Sequence, residues 1–102
     1  AAHITGGGLI ENLLRSIPEN LTLNIDLSQI KITKIFKWLK KKNISDQEML
    51  STFNCGVGFC VIVDKKNISK IKKVFPKNFT PYQIGYLSRG VGRINLSKSL
   101  KW

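Results

Sequence analysis

The spacing of apolar residues changes repeatedly along this 102-residue chain, and this alternation limits the folds available to it. Residues 9–17 place apolar side chains at helical intervals, whereas residues 21–26 alternate apolar and polar side chains like a half-buried strand. Further helical patterns cover residues 32–41, 45–50 and 67–75, and further strand patterns cover residues 1–5, 59–64, 82–88 and 93–97. We therefore predict one domain of the α/β (α+β) class, a mixed sheet with helices packed on it.

Capping and breaking residues delimit the predicted helices. Pro18 is expected to end the first helix, because proline cannot continue it. Ser45 and Glu48 have the spacing of a capping box, which predicts the start of a short helix. Asn67 is placed to cap the last helix, and Pro76 to close it.

Two stretches of the second half predict strands of the sheet. The run FCVIVD at residues 59–64 is short and continuously apolar, which predicts a central strand. The last two strands enclose the stretch RGVG, which favours a hairpin turn between neighbouring strands. The helices at 32–41 and 67–75 are predicted to turn lysines to solvent and an apolar face inward. The inward-facing positions are Ile32, Ile35, Phe36, Leu39, Ile68, Ile71 and Phe75.

The net charge is compatible with a nucleic-acid partner, whereas the small numbers of arginine and aromatic residues disfavour one. The formal net charge is +11 and the pI is about 10, so phosphate-rich partners such as nucleic acid come into question. Only three arginines are present, and few aromatic residues interleave with the lysines. We therefore interpret the lysines mainly as solvated helix faces, and we expect no specific nucleic-acid partner.

Membrane and metal proteins are disfavoured as classes. No apolar run approaches the roughly 20 residues that span a bilayer, and the first residues do not resemble a signal peptide. We expect a cytoplasmic protein with no membrane partner. Cys55 and Cys60 are then expected to be reduced thiols that pack as small hydrophobic residues. His3 is the only histidine and no CxxC occurs, so no metal site is expected.

Three consecutive glycines, Gly6, Gly7 and Gly8, stand between the first strand pattern and the first helix pattern. Without a Cβ, the backbone can closely approach a ligand, and the free N–H groups of a helix start suit phosphate or a developing oxyanion. The lysine and Ser/Thr of a Walker A loop are absent. A tight turn with close packing of helix on sheet explains the glycines equally well.

A second glycine stretch, TFNCGVGF at residues 52–59, mirrors the first. Gly56 and Gly58 just before a strand suggest that another backbone, or a ligand, comes close. Thr52 and Asn54 could offer a hydroxyl and an amide to the same cleft. The competing interpretation is that these two side chains cap the end of the preceding short helix.

These two stretches carry a family resemblance. The pattern AHITGGG…EN…R followed by M…TFNCGVG resembles the carboxyl-terminal region of the phosphoribosylformylglycinamidine cyclo-ligases, the aminoimidazole ribonucleotide synthetases. The helix with Phe36, Trp38 and Leu39 and the stretch YQIGYL resemble further parts of that region, whereas the tail after Gly90 matches poorly. The matching motif residues are Ala2, His3, Ile4, Thr5, Gly6, Gly7, Gly8, Glu11, Asn12, Arg15, Met49, Thr52, Phe53, Asn54, Cys55, Gly56, Val57 and Gly58.

The resemblance implies most of the carboxyl-terminal domain of a much longer, homodimeric cytoplasmic enzyme. Such an enzyme closes the imidazole ring of formylglycinamidine ribonucleotide in purine biosynthesis. It uses ATP and Mg²⁺, which are bound mainly by an amino-terminal domain that this chain lacks. That domain would be the main partner of this one, and the 102 residues alone are expected to be inactive.

The resemblance also implies roles for particular residues. Gly6, Gly7 and Gly8 would contact substrate or phosphate through their backbone. The residues expected to line the same cleft are Thr5, His3, Asn12, Thr52 and Asn54. No catalytic side chain is assigned. The alternative from another class is a basic interaction domain that keeps the fold and has lost catalysis.

Overall fold

The computed structural model of the chain describes residues 2–3, for which only the backbone is considered, and residues 8–102. The helices are α1 (Gly8–Leu14), α2 (Lys34–Lys40), α3 (Asp46–Thr52) and α4 (Ile68–Val74). The strands are β1 (Ala2–His3), β2 (Leu21–Asp26), β3 (Phe59–Cys60), β4 (Gly85–Arg89) and β5 (Ile94–Ser97). Short 3-10 turns lie at Leu27–Gln29, Lys65–Asn67 and Lys77–Phe79. Within the described residues, no helix is long and apolar enough to cross a membrane.

The main sheet has three strands in the order β4–β2–β5 and is mixed, as the sequence predicts. Strand β2 pairs antiparallel with β4 and parallel with β5, and Leu23 lies opposite both Leu87 and Ile94. Alternation along β2 buries Leu23 and Ile25 on the core face. The predicted α+β fold class is thereby confirmed.

The predicted hairpin between the last two strands is wrong, because β2 lies between them. The stretch after β4 crosses the start of β2, where the Gly90 and Gly92 N–H groups donate to the carbonyls of Asn20 (3.1 Å) and Leu21 (2.9 Å). A Cβ on Gly90 would overlap the Thr22 hydroxyl. The turn residues indicate a reversal of the chain, but they do not say which strands become neighbours.

The core forms where α1 and α3 pack together beside the sheet. Leu9, Ile25 and Met49 are almost completely buried. Helix α3 begins as the capping box predicts, with the Glu48 N–H donating to Ser45 Oγ at 3.2 Å. Helix α1 ends at Leu14, before the expected stop at Pro18, and a short turn fills the gap.

Residues 59–64 are not the buried central strand that their apolar run predicts. Strand β3 contains two residues only and pairs with β1 in a separate two-stranded sheet. The Phe59 side chain is 60% exposed, and Val61, Ile62 and Val63 are also exposed. Among the described residues, β1 is the only strand that pairs with β3, and the pairing ends at Cys60, which leaves the following residues partly exposed.

The apolar faces of α2 and α4 are also less buried than predicted. Phe36, Leu39, Ile68 and Ile71 are partly buried, as is Ile32 before α2. Ile35 and Phe75 are exposed, so their predicted inward orientation is wrong. Asn67 precedes α4, but its side chain makes no capping hydrogen bond, because a 3-10 turn already leads into the helix.

The carboxyl-terminal tail returns to the core. Leu100 is buried among the core residues. The Trp102 indole N–H donates to Asp46 Oδ1 at 2.9 Å, and Lys40 Nζ lies 2.9 Å from the same oxygen. The tail therefore fixes the first residue of α3 from outside the sheet.

Candidate functional site

The two glycine stretches are attached in sequence to the same end of the small sheet. Strand β1 leads into residues 4–7, and residues 53–58 lead into β3. Because the strands are antiparallel with His3 opposite Phe59, both stretches leave the ladder at the same end. Thr5, Gly6 and Gly7 lie outside the described residues, as does the His3 side chain.

Gly8 joins α1 tightly to α3. Its φ is +74°, a left-handed conformation that favours glycine. A Cβ here would overlap the Leu50 carbonyl oxygen and would lie 2.6 Å from the Ser51 carbonyl carbon and 2.8 Å from the Thr52 nitrogen. The structure thus brings Gly8 and Thr52 together, and it gives Gly8 a packing role that needs no ligand.

Asn12 lies one helical turn after Gly8. Its Nδ2 donates to the Gly8 carbonyl at 2.6 Å, and the Ser16 hydroxyl donates to the Asn12 carbonyl at 3.3 Å. The Asn12 side chain is therefore on the α1 face that meets the first glycine stretch. Its amide braces the first turn of α1 from a partly buried position.

Asn54 shapes the second glycine stretch. Its Oδ1 accepts a hydrogen bond from the Gly56 N–H at 2.9 Å, and its carbonyl accepts one from the Val57 N–H, also at 2.9 Å. These bonds point forward into the turn, whereas α3 ends at Thr52 and the N–H of its C-cap residue, Phe53, donates to the Met49 carbonyl. These hydrogen bonds of Asn54 therefore stabilise the turn and do not cap α3.

Gly56 and Gly58 have different surroundings, although the sequence treats them alike. At Gly56 φ is +104°, and a Cβ would lie 3.0 Å from the Lys31 carbonyl oxygen and 3.1 Å from the Thr33 methyl group. The close backbone approach predicted there is confirmed. At Gly58 no atom of the described residues lies within 4 Å of a Cβ position, so nothing there requires glycine for packing.

Thr52 is exposed at the end of α3.

Burial disfavours the thiolate form of both cysteines. Burial, with a smaller effect from the negative charge of Asp46, raises the pKa of Cys55 to about 11. Burial likewise raises the pKa of Cys60. Both thiols are free, and Cys55 is completely buried, with its sulfur 3.6 Å from the Met49 carbonyl. The predicted packing role is confirmed for Cys55, while Cys60 is partly buried.

Two ion pairs involve acidic residues of α1 and α3. Glu11 in the first turn of α1 binds Arg15 at 2.6 Å, and Asp46 at the start of α3 binds Lys40. The Lys40 ammonium, aided by the Trp102 N–H, lowers the pKa of Asp46 although partial burial opposes this effect. No group of three or more His, Cys, Asp or Glu side chains is placed to hold a metal ion in the part of the chain that the structure describes.

Sequence reasoning missed a groove lined by residues of β2, β4 and β5, with a cavity volume of about 390 Å³. Asn24 is central to it: its Nδ2 donates to Ser88 Oγ at 2.9 Å, and its Oδ1 accepts from Asn95 Nδ2 at 3.3 Å. The alternating polar positions of β2 were the available signal. These side chains bond to the neighbouring strands and to the turn after β2: Asn24 bonds to Ser88 and Asn95, and Asp26 bonds to Ser28. These bonds account for the polar positions structurally.

Comparison with known proteins places the chain in a family context. Residues 1–95 match the family model described as AIR synthase related protein, C-terminal domain. The chain is 42% identical over 87 residues to a phosphoribosylformylglycinamidine cyclo-ligase of Staphylococcus aureus (strain Newman), covering 83% of this chain and 25% of that protein. Proteins of the same name are similar in Staphylococcus saprophyticus (39%, 93% of this chain, 28% of that protein) and in Finegoldia magna (44%, 74% and 24%). The chain thus spans about a quarter of the length of these curated relatives.

Proposed function

Because the chain belongs to the AIR synthase related protein family, through its C-terminal domain, we propose that it is the carboxyl-terminal part of a phosphoribosylformylglycinamidine cyclo-ligase. The observation that carries the proposal is the family match over residues 1–95, which includes both glycine stretches. The attachment of both stretches to the same end of the β1–β3 ladder supports it. In the complete enzyme we expect the domain to work beside its own amino-terminal domain, in a cytoplasmic homodimer.

The proposed reaction is an ATP-dependent ring closure. The formyl oxygen of formylglycinamidine ribonucleotide is a poor leaving group, and transfer of a phosphoryl group from ATP makes it a good one. The amidine nitrogen then attacks the activated carbon, and phosphate departs as the imidazole ring becomes aromatic. The protein has to hold two anionic substrates in line, exclude water and stabilise charge on the transferred phosphoryl oxygens.

For this chain we propose a binding role at the glycine junction, by which we mean Gly6, Gly7 and Gly8 between β1 and α1. Gly6 and Gly7 would offer backbone N–H groups to the substrate or its phosphate, in continuity with Gly8 at the start of α1. His3, Thr5, Asn12, Thr52 and Asn54 are proposed to line the same cleft. Support comes from the contact between Gly8 and the Thr52 backbone, and from Asn12 on the adjoining turn of α1.

Magnesium does not fit the described part of this chain, because these residues contain no cluster of metal-binding side chains. We therefore derive no step through the metal. We propose that the amino-terminal domain of the complete enzyme binds both Mg²⁺ and most of the ATP.

The direct test is to complete the chain. The amino-terminal three quarters of the Staphylococcus aureus relative would be joined to residue 1, and the purified chimera assayed for ATP-dependent formation of aminoimidazole ribonucleotide. We expect turnover by the chimera and none by the 102 residues alone, with host enzyme excluded from both samples. A folded chimera without activity, or an active 102-residue chain, would contradict the proposal.

The glycine junction is tested in the same chimera by Gly7→Val. A binding role for the backbone predicts that most activity is lost while the melting temperature stays close to that of the parent. If Gly7 served only as a turn, activity and stability would fall together, and activity would return at lower temperature. Near-normal rates in a stable Gly7→Val chimera would rule out the binding role.

A further inference from the structure

An apolar run continues beyond the point where its strand pairing ends. Phe59 and Cys60 form β3 opposite β1, and the next residues are Val61, Ile62 and Val63. These three are β-branched, which favours strands, yet their exposed fractions are 40%, 42% and 38%. Contiguous exposed apolar residues mark a surface that another segment covers.

The register of the β1–β3 ladder identifies the segment that would cover residues 61–63. Ala2 lies opposite Cys60 and His3 opposite Phe59, so each step forward on β3 is a step back along β1. Continuing the same antiparallel register sets Ile62 and Val63 opposite the two residues that precede residue 1. These residues are not part of the 102-residue sequence.

We propose that in the complete protein β3 continues through Val63, and that the residues directly before residue 1 extend β1 along it. The proposal rests on the proposed function, in which this chain is the last quarter of a longer polypeptide. Both strands then grow without a new turn, and the covering segment is already tethered in register, so little additional chain entropy is lost.

A second copy of this chain or a separate protein fits the run less well. Either would have to compete with a tethered strand that already pairs with Phe59 and Cys60. Asp64, Lys65 and Lys66 follow Val63, and these charges set the far limit of the apolar surface. The segment before residue 1 is therefore the single occupant that the register selects.

The extended ladder has a consequence for the glycine junction. Strand β1 leads directly into residues 4–7, so a longer β1–β3 ladder would hold the start of this stretch more firmly than two residue pairs can. The segment before residue 1 would thus support the proposed binding residues Gly6 and Gly7.

Engineered disulfides test the register in the chimera described above. One variant carries Ile62→Cys together with a cysteine at the residue directly before residue 1, in a Cys60→Ala background. Directly opposed residues of an antiparallel pair lie about 4.5–5.5 Å apart at Cα, within disulfide range. The matched control pairs Val63→Cys with the same second cysteine, because a slip of one residue points the side chains to opposite faces.

We expect mild oxidation to cross-link most molecules of the Ile62→Cys variant and few of the control, as read by peptide mass mapping. Equal cross-linking of the two variants, or preference for the control, would overturn the proposed register. Cross-linking does not depend on turnover, so an inactive chimera with the expected disulfide refutes the function alone. An active chimera without it refutes the strand extension alone.

A second measurement covers a chimera that fails to fold. Ten residues that precede the aligned position in the Staphylococcus aureus relative would be added before residue 1, and the same residues in scrambled order would serve as control. Successive N–H groups point to opposite edges of a strand, so one of the Ile62 and Val63 amides faces the added segment. We expect at least tenfold slower hydrogen exchange at one of them with the native extension. Equally fast exchange in both chains would overturn the proposal.

Discussion

Two regions of this molecule have similar apolar sequences and opposite burial. The packed unit, formed by α1, α3 and the three-stranded sheet, contains Leu9, Ile25 and Met49, each at most 1% exposed. The exposed segment, residues 59–79, contains no fully buried residue, although FCVIV is the most continuous apolar run of the chain. Burial here depends on which elements pack against each region, and not on its apolar sequence alone.

The difference shows that a local apolar pattern predicts an element, whereas long-range packing determines whether that element is buried. In the packed unit each apolar face finds a partner within the chain, as α1 does on α3. In the exposed segment β3 finds two residues of β1, and α4 lies next to the 3-10 turn that precedes it. The exposed segment therefore packs less against the other described elements than the packed unit does.

The largest expected effect is at Gly8, where the packed unit has no room. Gly8→Ala combines a left-handed conformation, which costs about 1–3 kcal/mol, with overlap against the α3 backbone, which costs about 1–3 kcal/mol more. Gly58→Ala is the matched control, because a Cβ there meets open space among the described residues. Urea unfolding should separate the two variants clearly. Equal free energies of unfolding would show that α1 and α3 are not in close contact.

The next effect compares apolar truncations in the two regions. Leu9→Ala should lower the free energy of unfolding by about 2–5 kcal/mol, because it leaves a cavity in the packed unit. Ile62→Ala in the 102-residue chain should change it by less than about 0.5 kcal/mol. In the completed chimera the cost of Ile62→Ala should rise. A large cost in the short chain would mean that residues 59–63 are already covered.

Local signals were sufficient for part of the fold. The Ser45–Glu48 capping box, the alternation of β2 and the helical stripe of α1 each involve residues close in sequence, and the structure contains all three elements. Strand adjacency was not predictable in the same way. Nothing in the stretch RGVG indicates that β2 separates β4 from β5, since that placement depends on contacts between residues sixty or more positions apart.

The candidate site could be predicted only as a pair of motifs. The two glycine stretches were recognisable, but the distinct reasons for Gly8, Gly56 and Gly58 depend on which backbone lies opposite each one. The hydrogen bond from Trp102 to Asp46 could not be predicted from local sequence, because the carboxyl-terminal tail and the start of α3 are about half of the chain apart. Thr5, Gly6 and Gly7 keep their predicted roles as proposals.

A smaller effect concerns pH and the start of α3. The pKa of Asp46 is lowered from its ordinary value of 3.8, chiefly by the Lys40 hydrogen bond. Its stabilisation is therefore present above that value and is lost as the pH falls through the folded-state pKa. Asp46→Asn should lower the melting temperature slightly at pH 7, and this difference should vanish near pH 2. Asp64→Asn, in the exposed segment, should follow the parent curve. A constant deficit for Asp46→Asn at every pH would assign the effect to something other than this charge.

The smallest expected effect is on polyanion binding, where the two regions should behave alike. If the +11 charge reflects solvated lysines, a single-stranded oligonucleotide should bind with a dissociation constant of roughly 1–100 µM at physiological salt, without sequence preference. Affinity should then depend on how many lysines remain and not on which ones are removed.

Two triple Lys→Gln variants test this. One changes Lys34, Lys37 and Lys41 on or beside α2, and the other changes Lys66, Lys70 and Lys73 in the exposed segment. Fluorescence anisotropy across a salt series should give equal losses and equally reduced salt slopes for the two variants. A loss confined to the α2 variant, together with salt-resistant or sequence-selective binding, would identify α2 as a specific interface and favour a basic interaction domain over a cyclo-ligase part.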